Sequence, residues 1–140
     1  MNEIIVGVDG SATARIAAEE AVALANAYQR PLHIVTSMAR SSSQEVQGGG
    51  SERWRIDSVG VAEDTLKAMI GELKANVPVT YAVLLDDPAV GLCEEATRLD
   101  ASVIVVGNKR VQGAARVLGS IAGDVAKRAP CNVLIVNTHR

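Results

Sequence analysis

Six residues in the C-terminal third have the types and spacing to hold a phosphate: Gly107, Lys109, Arg110, Gly113, Gly119 and Ser120. They follow a wholly apolar run, Val103 to Val106, of the kind that forms a strand buried on both faces. The run is expected to stop at Gly107, where the backbone can turn freely. A helical pattern then opens at Ser120 and Ile121. In a strand, glycine loop and helix start arranged in this order, exposed backbone N–H groups and the helix's N-terminal partial charge face an anion. Nearby cations add to that field. Glycine loops serve equally as plain turns, so the rest of the chain has to select between the two readings.

A second chemical candidate is Asp9, which closes the first apolar run and leads into Gly10 and Ser11. The other reactive types point away from catalysis. His33 lies inside a strand pattern and reads as a satisfied, partly buried histidine rather than a base. His139 is in the tail. Cys93 and Cys131 are too few for a disulfide framework and lack metal-ligand spacing; they are expected reduced and buried. No nucleophile elbow and no Cys–His arrangement can be placed, so no catalytic residue is assigned.

These residues must be positioned by the elements around them. Glu3 to Val8 reads as a strand. Ser11 is a suitable N-cap for a helix over Ala14 to Tyr28, whose stripe of Ala17, Ala18, Ala21, Leu24, Ala25 and Tyr28, mostly alanine, allows close packing on a sheet. Arg30-Pro31 ends it, and Leu32 to Thr36 is a second strand. Ser37 to Asp57, with Ser41 to Ser43 and Gly48 to Gly50, reads as a long polar loop, either a linker or a flap over a ligand anchored by Trp54. Val61 to Asn76 is helical and Val77 to Leu84 a third strand. Asp87 and Pro88 supply an N-cap and a first helical proline for a helix carrying Ala89, Cys93, Ala96 and Leu99. The fourth strand is Val103 to Val106. A short helix over Ser120 to Arg128, with Ile121 and Val125 expected inward, is stopped by Pro130, and Val133 to Val136 is the fifth strand.

Alternation of five strands with four helices predicts an α/β fold: a doubly wound parallel sheet with helices on both faces. Ligands of such sheets bind at the carboxyl ends of the strands where strand order reverses. If the first and fourth strands are neighbours, Asp9 and Gly107 edge one crevice. No internal repeat or hydrophilic linker divides the 140 residues, so one domain spanning 1–140 is expected, large enough to bury roughly two-thirds of its surface. Aromatics make up 2% and Phe is absent, which leaves Val, Ile, Leu and Ala to build the core. A net charge of −2 gives no general attraction to nucleic acid or anionic membrane. No basic leader opens the sequence, and no run of about 20 apolar residues occurs, so the expected location is the cytoplasm.

The two ends of the chain together resemble the universal stress protein family. The opening carries Val6, Gly7, Val8, Asp9, Gly10 and Ser11, then an Ala-rich helix, then Leu32, His33, Ile34 and Val35. The close carries Ile104 to Asn108, then Leu118, Gly119 and Ser120, then Ala129 to Val136. The resemblance implies strand order 3-2-1-4-5, as in the adenine nucleotide alpha hydrolase-like fold, and with it the juxtaposition of Asp9 and Gly107. It also implies a regulatory or sensing ligand: ATP, with or without Mg2+, or another adenine nucleotide. Val8 and Asp9 would contact the adenosine, Val35 the base, and Val106 and Gly107 the ribose and phosphate side. Gly119, Ser120 and the adjoining Ile121 would hold phosphates at the helix start. A carboxylate at Asp9 suits ribose hydroxyls or the adenine amino group, since it can only accept. Any turnover would be slow ATP hydrolysis or self-phosphorylation at Ser120.

The loop departs from the family's ATP-binding pattern of Gly, two residues, Gly, nine residues, Gly, then Ser or Thr. Arg110 stands at the second glycine, and eleven residues rather than twelve separate Gly107 from Gly119. A glycine occurs three positions later, at Gly113. Either the Arg110 side chain blocks backbone approach to the phosphates, or Lys109 and Arg110 replace backbone contacts with cationic ones. The second reading is a dimeric interaction protein of the family's non-binding branch. A receiver-type phosphoacceptor domain shares the fold class, but the clustered acids it needs after the first strand are missing. Family members typically dimerise by pairing last strands, which here is Val133, Leu134, Ile135 and Val136; a homodimer is expected, with that edge covered.

Overall fold

A computed structural model of the chain describes residues 2–9, 12–38, 49–108, 111–112, 115–116 and 118–138. Five strands form one parallel sheet: β1 (Ile4–Val8), β2 (Leu32–Ser37), β3 (Val79–Leu84), β4 (Val103–Asn108) and, after a small hairpin, β7 (Asn132–Asn137). Their spatial order is β3-β2-β1-β4-β7, which is 3-2-1-4-5 for the five strands of this sheet. β1 therefore lies at the centre, with Ile4 registered against Leu32 on one side and Val103 on the other.

Successive residues of these strands face opposite layers, and the apolar pattern fills both. Ile4, Val6, Leu32, Ile34 and Val105 pack with helices α1 (Ala12–Tyr28) and α2 (Gly49–Glu72). Ile5, Val35, Ile104 and Val106 pack with α3 (Pro88–Leu99) and α4 (Ser120–Arg128). The α1 stripe lies flat because its inward residues are alanines: Ala14, Ala17, Ala18, Ala21 and Ala25 are all buried. Asn26 clasps the far end of α1 to the turn before β3, donating to the Lys74 carbonyl at 3.1 Å and accepting from the Asn76 N–H at 2.9 Å. Asp87 caps α3 as its sequence predicts, its carboxylate accepting from the Val90 N–H with Pro88 following. The helix ends on Asp100 at φ 51, ψ 51, whose N–H returns to the carbonyls of Ala96 and Thr97.

Several expectations are corrected. Tyr28 is 61% exposed and Ile121 46% exposed, so neither faces the core; on α4 the buried residues are Ala122 and Val125, one turn apart. The expected N-cap Ser11 lies outside the described residues. The long loop expected over Ser37 to Asp57 is shorter, because β2 runs through Ser37 and α2 begins at Gly49. The helix formers Glu52, Arg53 and Arg55 carry that first stretch, but it lacks the apolar stripe by which a helix is recognised. Residues 39–48 of the expected loop lie outside the described residues. β4 does not stop at Gly107; it continues to Asn108, with Gly107 registered against Val136 of β7. Finally, the glycine loop contains two short antiparallel strands, β5 (Val111–Gln112) and β6 (Ala115–Arg116), paired Val111 to Arg116 and Gln112 to Ala115. Strands of two residues carry no readable period. Cys93 is buried and Cys131 half-buried, and both are free thiols whose burial pushes their pKa up. Among the described residues no helix is long and apolar enough to cross a membrane.

Candidate functional site

Strand order reverses between β1 and β4, and a cleft of about 300 Å³ opens there at the carboxyl ends of the strands. Its floor is made by residues with little or no side chain. Gly7 and Gly107 come from the two central strands, and Ala14 and Ala17 from the first turns of α1. A Cβ on Gly107 would lie 2.9 Å from Thr138 Cγ2, so this glycine serves close approach rather than a turn. Val35, buried at the end of β2, and Leu92 and Pro88 of α3 form an apolar wall. Asp9 is exposed at the rim, and Thr13, Ser37, Asn108, Ser120 and Thr138 add polar groups.

Helix α4 starts in this cleft. Its N-cap is Gly119, at φ −62, ψ 157, which supplies no side-chain cap. The Gly119 carbonyl accepts from the Gly123 N–H at 2.8 Å. Its own N–H donates to Asn108 Oδ1 at 2.9 Å. The N–H groups of Ser120, Ile121 and Ala122 have no acceptor within the helix, and all three residues line the cleft. A helix start of this kind carries partial positive charge, favourable for an anion.

Eight of the residues singled out in the sequence thus share one cavity: Val8, Asp9, Val35, Val106, Gly107, Gly119, Ser120 and Ile121. Lys109, Arg110 and Gly113 lie outside the described residues. Sequence reasoning missed Thr13, Ser37, Asn108 and Thr138. Each is a single polar residue without a surrounding pattern. A second cavity of about 440 Å³ adjoins the first on the α2 side and shares Val8, Asp9 and Ser37 with it, so Asp9 stands between the two.

His33 lies away from the cleft and is a buried structural group. Its Nε2 contacts Glu95 Oε2 at 2.8 Å and its Nδ1 contacts Thr80 Oγ1 at 2.6 Å. A carboxylate only accepts, so Nε2 carries the proton. Arg98 donates to the same carboxylate through Nε at 2.7 Å and Nη2 at 2.9 Å. These Arg98 hydrogen bonds hold Glu95 below the usual carboxylate range; burial opposes the shift and His33 reinforces it. Among the described residues no group of three or more His, Cys, Asp or Glu could hold a metal ion.

Comparison with known proteins agrees with this architecture. Universal stress protein MJ0531 of Methanocaldococcus jannaschii is 28% identical over 139 residues, covering 96% of this chain and 81% of that protein. A universal stress protein solved in complex with cAMP is also 28% identical, with a TM-score of 0.65 over 98% of this chain and 97% of that one. Protein MJ0577 superimposes with a TM-score of 0.80 over 97% of this chain and 95% of that one; at 18% identity this is likeness of fold. The profile of the universal stress protein family matches residues 1–137. A match over nearly the whole length, on a sheet of the order that the family resemblance implies, places this chain in the universal stress protein family.

Proposed function

We propose that the β1–β4 cleft binds an adenine nucleotide as a sensing or regulatory ligand. The observation that carries this reading is the convergence, in one cavity, of an apolar slot, a rim carboxylate and an open helix start. The base would lie against Val35 and Val8. Asp9 would accept hydrogen bonds from ribose hydroxyls or the adenine amino group. Gly107 would let the sugar approach the backbone, and the N–H groups of Ser120 to Ala122 would face phosphate. The 28% identical relative crystallised with cAMP supports the ligand class. ATP, with magnesium carried on its own phosphates, and the single-phosphate nucleotides AMP and cyclic AMP would share the adenosine half of this site and differ beyond it.

Titration calorimetry of nucleotide-free protein against Mg–ATP, AMP and cyclic AMP tests the proposal. Saturable binding of at least one is expected. Asp9→Ala and Gly119→Val should each abolish it while leaving the circular dichroism spectrum intact, since φ −62, ψ 157 at position 119 is open to valine. Retained affinity in folded Gly119→Val would remove the helix start from the site. No heat from any nucleotide would assign the chain to the family's non-binding branch.

We further propose that the protein is a homodimer through β7. This strand is one edge of the sheet, and Leu134 on it is 38% exposed. An uncovered apolar edge templates aggregation, which strand pairing across a two-fold axis prevents. Leu134→Lys is expected to give monomers in sedimentation equilibrium; an unchanged dimer mass would place the interface elsewhere.

A further inference from the structure

His33 is buried, yet one of its two contacts reaches the surface. It is registered against Thr80 across β2 and β3, so the two side chains stand side by side on one face of the sheet. That face is the one α3 covers: Ile5, the register partner of His33 on β1, packs with that helix. β3 is the edge strand, and Thr80 on it is exposed. His33 and Thr80 are the second residues of their strands, at the opposite end of the sheet from the β1–β4 cleft.

The proton positions follow from the partners. Nε2 donates to Glu95 Oε2 at 2.8 Å, because a carboxylate only accepts. The neutral imidazole then has a lone pair on Nδ1, and Thr80 Oγ1, 2.6 Å away, donates its proton to it. Arg98 holds the carboxylate with two hydrogen bonds and keeps it ionised. Hydroxyl, imidazole and carboxylate thus stand in the order in which a base activates a nucleophile and a third group orients the base. Two other exposed threonines show the contrast. Thr65 and Thr97 each donate to a backbone carbonyl four residues back in their own helix, Val61 at 2.9 Å and Cys93 at 3.0 Å. A carbonyl cannot take the proton away, whereas an imidazole can. Packing does not call for the arrangement either, since a buried ion-paired group is often no more stabilising than apolar residues of its volume.

We infer that Thr80 is a nucleophile for acyl transfer from activated carboxylic esters, with His33 as its general base and Glu95 as the residue that positions the base. Thr80 Oγ1 bonds to the ester carbonyl carbon as its proton passes to His33 Nδ1. The bond from that carbon to the leaving oxygen then breaks, and His33 returns the proton to the departing alkoxide or phenoxide. The products are Thr80 carrying the acyl group as an ester and one free alcohol or phenol.

The probe is p-nitrophenyl acetate, in buffer at about pH 8.5, where an ordinary imidazole is neutral. Peptide mapping by mass spectrometry is expected to find an acetyl ester on Thr80, formed about 100-fold faster than on Thr65 or Thr97, the lower end of what a positioned base contributes. Thr80→Val should remove that ester with acetylation elsewhere unchanged, and Thr80→Ser should keep it. His33→Gln should bring the rate at position 80 down to that of the other two threonines. Equal labelling of the three threonines, or a folded His33→Gln variant that still labels Thr80 at the wild-type rate, would overturn the inference. Should His33→Gln not fold, wild type alone decides through the nitrogen-15 shifts of the His33 ring at the same pH. A ring protonated on Nε2 alone is expected. A proton on Nδ1, or on both nitrogens, leaves no base facing Thr80 and overturns it. Glu95→Gln, whose amide can donate as well as accept, should slow labelling of Thr80 and shift the ring toward the Nδ1–H tautomer. A merely structural carboxylate would leave the tautomer unmoved, and that result would overturn the positioning role.

Discussion

Gly107→Val is expected to lose nucleotide binding altogether and to lower the unfolding free energy by about 2 kcal/mol, the usual cost of forcing extra methyl groups into a packed site. A Cβ at this position would lie 2.9 Å from Thr138 Cγ2 and 3.6 Å from Ala17 Cβ. Neither neighbour can move aside. Ala17 is fully buried on the inward face of α1, and Thr138, 2% exposed, is tied by its N–H to the Asn108 carbonyl. Ala17, Gly107 and Thr138 all line the cleft, so the valine methyls would fill space the ligand needs. Urea unfolding and calorimetry on the same preparation measure both effects. A variant with wild-type stability and wild-type affinity would show that the floor of the cleft is not where the ligand sits.

The largest effect on stability outside the cleft is expected from Glu95→Ala, at about 3 kcal/mol or about 10 °C in Tm. Glu95 is 8% exposed and His33 4% exposed, so removing the carboxylate leaves the imidazole Nε2–H facing a cavity with no acceptor. Arg98 would also lose its two-point partner. The same group makes stability depend on pH. Arg98 holds the folded-state pKa of Glu95 below its ordinary value of 4.5. The stabilisation from the ionised carboxylate is therefore complete above about pH 4.5 and is lost as pH falls through the lowered folded value. Melting curves from pH 7 to pH 3 should show wild type and Glu95→Ala converging in acid. A gap that stays constant over that range would mean the ionised carboxylate contributes nothing.

Long-range order in this protein is legible where local pattern dictates it. The runs Ile4 to Val8 and Val103 to Val106 are apolar on every residue, as strands covered on both faces must be, and both are strands of the central pair. Asp87 before Pro88 fixes the start of α3, and the alanine spacing fixes the inward face of α1. What escaped are features with no local period. The first turns of α2 carry no apolar stripe, so good helix formers beside Gly48 to Gly50 read as a loop. The β5–β6 hairpin is too short to alternate. Gly107 reads as a turn because glycine usually frees the backbone, whereas here it makes room for Thr138, 31 positions later in the sequence. The site divides in the same way. Asp9, Gly107, Gly119 and Ser120 belong to compact motifs. Asn108 and Thr138 reach the cleft through the β4–β7 register, and His33 meets Glu95 across 62 residues, a distance over which composition carries no signal.

The central place of β1 has a bearing on how the protein comes into being. Its pairing with β2 joins near neighbours in sequence, Ile4 with Leu32, and can form as soon as the second strand leaves the ribosome. Its other edge waits for β4: the Ser102 N–H that closes onto the Glu3 carbonyl is 99 residues away. At about 5–20 residues synthesised per second, that edge stands unpaired for roughly 5–20 s on the nascent chain. Ile4, Ile5 and Val6 are among the most apolar residues in the protein and would offer a template to any other extended segment during that interval. The cleft spans the same late seam. A partly synthesised chain has Asp9 and Val35 but neither Gly107 nor the start of α4, so the complete site arrives abruptly with the final strand–helix unit.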